Sequence, residues 1–80
     1  MSAMVPPDQI LDCRQELCPG PVIKAARTLK ALALNQILEV RATDPGAVAD
    51  MEALARQTGQ EIVGVLKEAG EVRILIRRLR

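Results

Sequence analysis

Apolar and polar positions along the chain switch between a two-residue and a three-to-four-residue spacing. Each switch is marked by proline, glycine, asparagine or aspartate. Residues 1–8 are predicted to be a flexible lead-in, because Pro6-Pro7 can neither donate to a strand ladder nor continue a helix. Ile10-Leu11-Asp12-Cys13 reads as a short strand with Leu11 and Cys13 on one face. After the polar stretch Arg14-Gln15-Glu16, the spacing becomes helical from Pro19. Val22, Ala26, Leu29 and Ala33 form a stripe that Ala25 and Leu32 widen, with Lys24, Arg27 and Thr28 opposite. Pro19 and Pro21 suit a first helical turn, whose N–H groups have no intrahelical acceptor. Asn35 is the predicted stop, since asparagine tolerates the left-handed conformation.

Residues 37–42 alternate strictly, which predicts a half-buried strand with Leu38, Val40 and Ala42 inward and Glu39 and Arg41 outward. Asp44-Pro45 predicts an N-cap followed by proline at the first helical position. Ala47, Met51, Leu54, Ala55 and Thr58 form the inner stripe of that helix, and Gly59 closes it. Residues 61–67 read as a third strand, Glu68-Ala69-Gly70-Glu71 as a hairpin turn, and 72–78 as a fourth strand with Val72, Ile74 and Ile76 on one face. The order βαβαββ predicts an α/β two-layer sandwich. Right-handed crossovers put both helices on one face of a four-stranded mixed sheet, and the other face is comparatively open. Residues 9–80 are expected to be its single domain.

Composition narrows the chemistry by what it lacks. The 80 residues contain no His, Phe, Trp or Tyr. Without an imidazole there is no cysteine-protease or serine-hydrolase base and no histidine metal ligand, so no metal site and no cofactor are expected. Without aromatic rings there is no platform for stacking bases, and a net charge of +1 lacks the basic excess of a nucleic-acid binder, so direct nucleic-acid binding is not expected. No apolar run approaches the roughly 18 residues that span a bilayer, and the N-terminal stretch has no basic residue resembling a secretory signal. A cytoplasmic monomer with no membrane contact, carrying reduced thiols, is the expectation.

The two thiols are then the groups that stand out. Cys18 precedes Pro19-Gly20-Pro21 at the junction of loop and helix, where free N–H groups and the positive end of the dipole favour a thiolate. The prolines restrict the turn, Gly20 keeps the approach to sulfur open, and Lys24 and Arg27 add positive charge one and two turns on. A thiolate without a neighbouring base can still exchange with another sulfur. A small open domain with one such thiol suits a carrier that takes a sulfur atom from one protein and presents it to another. A module whose thiol only senses redox state fits the same features.

Leu11-Asp12-Cys13-Arg14 followed by Cys18-Pro19-Gly20-Pro21-Val22 resembles the signature of the TusA/SirA-like sulfur-carrier family, with its Cys-Pro-x-Pro motif. The likeness continues through Lys30, Asp44-Pro45, Ala47 and Asp50-Met51, over residues 9–79. It implies that Cys18 carries sulfane sulfur as a persulfide, as a covalent relay rather than a stand-alone catalyst. The donor implied is a cysteine desulfurase or a rhodanese-like protein, and the acceptor a DsrE-like or other protein. Family destinations are tRNA thiolation, molybdenum cofactor assembly and sulfur oxidation, and a selenium-handling member is compatible with the same residues. The chain departs from the family at Gln15, where glycine is usual, at Asn35, and at Cys13, where a small residue is common.

The remaining residues take structural readings. Cys13 is expected to face the core, with a resolving thiol as the alternative role; Met51 is core. Asp12 and Asp44 are turn and cap residues. Arg73, Arg77, Arg78 and Arg80 are read as charges that keep an edge strand soluble. Arg14, Lys24 and Arg27 are the candidate docking residues for an acidic partner surface.

Overall fold

The computed structural model describes residues 6–14 and 20–80. Its elements are β1 (Gln9–Cys13), α1 (Gly20–Ala31), β2 (Ile37–Ala42), α2 (Ala47–Thr58), β3 (Glu61–Glu68) and β4 (Glu71–Arg77). The spatial order β1-β2-β4-β3 makes one mixed sheet: β1 runs parallel to β2, and β4 lies antiparallel to both β2 and β3. The predicted sandwich is therefore the observed one. The lead-in ends one residue earlier than expected: Asp8 is already tied to β2, donating its N–H to the Ile37 carbonyl at 2.8 Å and accepting from the Ile37 N–H through Oδ2 at 2.7 Å.

Strand alternation sorts the two sheet faces. Leu38, Val40 and Ala42 of β2 and Val72, Ile74 and Ile76 of β4 meet Ala25, Leu29, Ala47, Met51 and Leu54 of the helices in one core. Each fully buried Leu, Ile or Met side chain of this kind contributes about 1.5–3 kcal/mol. The opposite face is less open than expected. Leu75 and Ile37 lie on it, yet they are only 1% and 4% exposed. Glu39 is buried between them in the register and accepts a 2.6 Å hydrogen bond from Arg41 Nε.

Four details of the helices differ from the pattern. The buried stripe of α1 is Pro21, Ala25 and Leu29, continued by Leu32; Val22 and Ala26 are its flank. The helix ends at Ala31, four residues before Asn35, so Ala33 is exposed and uses its N–H to donate to Gln36 Oε1 at 2.8 Å. Asn35 does adopt the left-handed region, at φ 70°, but it turns the chain into β2 rather than closing the helix. In α2, Thr58 is exposed because its hydroxyl is satisfied within the helix, donating to the Leu54 carbonyl at 2.7 Å. Asp44 Oδ1 accepts from the Gly46 N–H at 2.9 Å, while Gly46 holds the N-cap position and Gly59 closes the helix at φ 76°.

The arginines of β4 also take a different role. β4 lies inside the sheet, with β1 and β3 at the edges. Arg73 and Arg77 alternate with the core residues and so point to the face away from the helices, where Arg77 pairs with Glu61 at 3.0 Å. Arg78 reaches across to α1 and donates through the same guanidinium nitrogen to the carbonyls of Lys30, at 2.9 Å, and Leu32. It thereby satisfies C-terminal carbonyls that the helix itself leaves open.

Candidate functional site

One end of the sheet gathers most of the residues singled out in the sequence. Its last complete row runs Cys13–Ala42–Val72–Lys67 across β1, β2, β4 and β3. Immediately beyond this row lie Arg14, the start of α1 at Gly20, the 43–46 connection into α2 and the 68–71 hairpin. Cys18 and Pro19 lie outside the described residues, as does Gln15.

The first turn of α1 contains no acidic residue, and Pro21 is buried as the first member of the inward stripe. Gly20 is half-buried. The partial positive charge of a helix N-terminus favours an anion held nearby. Lys24 and Arg27 are both exposed along this helix. Ile23 is 48% exposed beside them, an apolar contact point that sequence patterning did not single out. Its position off the Pro21–Ala25–Leu29 stripe is the signal that could have found it.

The two remaining candidates have specific surroundings. Cys13 is 0% exposed and sits in the core cluster, so its side chain faces the helices as its shared strand face with Leu11 predicts. Arg14 is held in place: its guanidinium donates to both Asp12 oxygens, at 2.9 and 2.8 Å, and lies 3.6 Å from Glu71. Asp12 also accepts from the Arg14 N–H at 3.1 Å, which makes it the turn residue expected. The hydrogen bonds from Arg14 lower the Asp12 carboxyl to about 2, and the paired carboxylates push the guanidinium further up. Arg14 therefore meets the surface with the Asp12 and Glu71 carboxylates beside it. Sequence alone missed Glu71, which is 57 positions away in the chain and adjacent only through the β2–β4 pairing.

No helix among the described residues is long and apolar enough to cross a membrane. Among those residues there is also no grouping of three or more Cys, Asp or Glu side chains suited to a metal ion.

Comparison with known proteins bears on the same region and on the whole domain. The family model described as sulfurtransferase TusA matches residues 9–78. The sulfur carrier protein TusA of Allochromatium vinosum is 44% identical over 71 residues, covering 89% of this chain and 93% of the relative. A putative sulfur carrier protein of Archaeoglobus fulgidus is 31% identical over 71 residues, covering 89% and 97%. The putative sulfur carrier protein YrkF of Bacillus subtilis is 38% identical over 69 residues, and this chain spans only 37% of its length. A SirA-like protein from Desulfitobacterium hafniense has the same fold, with a TM-score of 0.80 over 90% of this chain and 99% of that one at 22% identity.

Proposed function

From a chain that belongs to the TusA sulfurtransferase family, a family of sulfur carriers, we propose a relay in which Cys18 holds sulfane sulfur as a persulfide. The observation that carries the proposal is the start of α1 at Gly20, two residues after Cys18, at the end of the sheet where β1 terminates. Chain connectivity keeps the Cys18 Cα within about 7 Å of that helix start. A sulfur anion there lies within reach of the helix N–H groups and dipole, which lower a thiol's pKa and stabilise the persulfide once formed.

The chemistry needs no imidazole and no redox partner. The Cys18 thiolate attacks the terminal sulfur of a donor persulfide, forming a new S–S bond while the donor's cysteine leaves as thiolate. In the second half, an acceptor thiolate attacks the terminal sulfur of the Cys18 persulfide, and Cys18 leaves as thiolate. Sulfur is transferred at constant oxidation state, and the proton balance is taken up by solvent. A low thiol pKa helps both halves, because Cys18 is nucleophile in one and leaving group in the other. A cysteine desulfurase or rhodanese-like protein is the donor, and a DsrE-like or other cysteine-bearing protein the acceptor. Ile23, Lys24 and Arg27 form the α1 side of the docking surface, which suits an acidic partner with an apolar contact. The relay operates in the cytoplasm, where thiols stay reduced.

The test is mass spectrometry after incubation with a desulfurase plus cysteine, or with a persulfidated rhodanese. The protein should gain about 32 Da per sulfur atom, lose it to dithiothreitol, and pass it to an acceptor thiol. Reversible oxidation of Cys18 without onward transfer would replace the relay with redox sensing. No reducible mass gain from either donor would refute it.

A further inference from the structure

We propose that the groove between the start of α2 and the β3–β4 hairpin is a second docking surface of the carrier, built to take a basic, partly apolar segment of a partner protein. This rests on the relay reading and extends it, because the groove opens at the cysteine-bearing end but on the side away from α1. Its apolar lining comes from Pro45 and Val48 at the start of α2 and from Val72 and the Ala69-Gly70 turn on the hairpin. Among the described residues that line it are the carboxylates Asp44, Glu68 and Glu71 and the cation Lys67.

The charge arrangement selects the occupant. Glu68 and Glu71 are directly opposite each other in the antiparallel register, an arrangement of like charges that opposes hairpin formation. Glu71 is partly compensated by Arg14 at 3.6 Å, whereas Glu68 is fully at the surface. A lysine or arginine brought by a partner neutralises this pair, and aliphatic neighbours in the same segment cover Pro45 and Val48. Electrostatic complementarity of this kind steers encounter and sets partner choice more than it adds affinity. The α1 side, with Lys24 and Arg27, has the opposite sign. The α1 side and this groove are therefore suited to partners of opposite charge, so that donor and acceptor can dock on separate surfaces.

Engagement is also felt at the start of the thiol segment. Arg14 bridges Asp12 and Glu71 and is the residue directly before the 15–19 segment. A cation that binds Glu71 competes with Arg14 for the same carboxylate.

The experiment titrates the unloaded, isotope-labelled protein with acetyl-Gly-Lys-Val-Lys-Gly-amide at low salt, with the glutamate counterpart of that peptide as control. Amide shifts are expected at Val48 and through 67–72, and they should fade as salt rises. Glu68→Gln, which removes the exposed charge without offering Glu71 a new cation, should weaken the response about threefold to fivefold. Shifts confined to other acidic positions such as Asp50 and Glu52, an equal response to the glutamate peptide, or no response would each overturn the proposal. Because the titration involves no sulfur, failure of persulfide loading in a separate mass measurement would count against the relay and leave the groove standing.

Discussion

Cys13→Ala separates the two thiols more sharply than any other single change. Cys13 is 0% exposed, on the core face of β1, with Ala42 beside it in the parallel register and the α1 stripe packed above. Removing its sulfur deletes one buried heavy atom, and the surrounding side chains collapse only partly onto the space. The cost is about 1–2 kcal/mol, at the low end of large-to-small core substitutions. At roughly 2.1 cal/mol/K per residue, an 80-residue domain shifts its Tm by about 6 °C per kcal/mol, so the melt should move down by about 6–12 °C. Cys13→Ser should cost more, because it places a hydroxyl in an apolar site. Persulfide loading of Cys13→Ala below its melting temperature should match the parent, whereas Cys18→Ala should lose loading and keep its Tm. Thermal melts by circular dichroism and whole-protein mass spectrometry read both quantities on the same samples. If Cys13→Ala stays folded but fails to load or release sulfur, or if a Cys13–Cys18 disulfide appears as sulfur leaves the parent, Cys13 is a chemical participant and the assignment to the core alone is wrong.

Other expectations follow from individual contacts. Arg78→Ala leaves the Lys30 and Leu32 carbonyls without their donor and should destabilise by about 1–3 kcal/mol in urea unfolding; an unchanged midpoint would mean that water replaces the guanidinium at no cost. Ala69 sits at φ 47° in a two-residue hairpin turn, so Ala69→Gly should stabilise by about 1 kcal/mol, read as a higher urea midpoint. Asp12 is lowered from 3.8 to about 2, so its contribution to stability is complete above pH 4 and lost as pH falls through 2. Asp12→Asn should make the loss of stability between pH 4 and 2 smaller than in the parent, and an Asp12 carboxyl titrating near 4 by NMR would contradict the Arg14 pairing. Charge reversal of both Lys24 and Arg27 should slow sulfur transfer from an acidic donor at low salt without lowering the Tm, and equal rates would move donor docking off α1.

What the amino-acid order determined by itself is everything that depends on local spacing. Period-two alternation set the inward faces of β2 and β4, glycine and asparagine marked the left-handed positions at 35, 59 and 70, and Cys-Pro-Gly-Pro located a helix start after a cysteine. These are short-range effects of backbone sterics and side-chain direction, and they survive in any tertiary setting. The end of α1 at Ala31 was not legible in this way, because it depends on Arg78, 47 positions downstream, reaching the helix carbonyls. The inner place of β4 was not legible either: periodicity says which side of a strand is apolar but not which strands become neighbours. That choice put Arg73 and Arg77, expected at an edge, on an inner strand, and it brought Glu71 to Arg14. The candidate site divides along the same line. Its candidate thiol is a local feature of the chain, while the Asp12–Arg14–Glu71 contacts and the groove beside the β3–β4 hairpin come together only because strand pairing joins residues far apart in sequence.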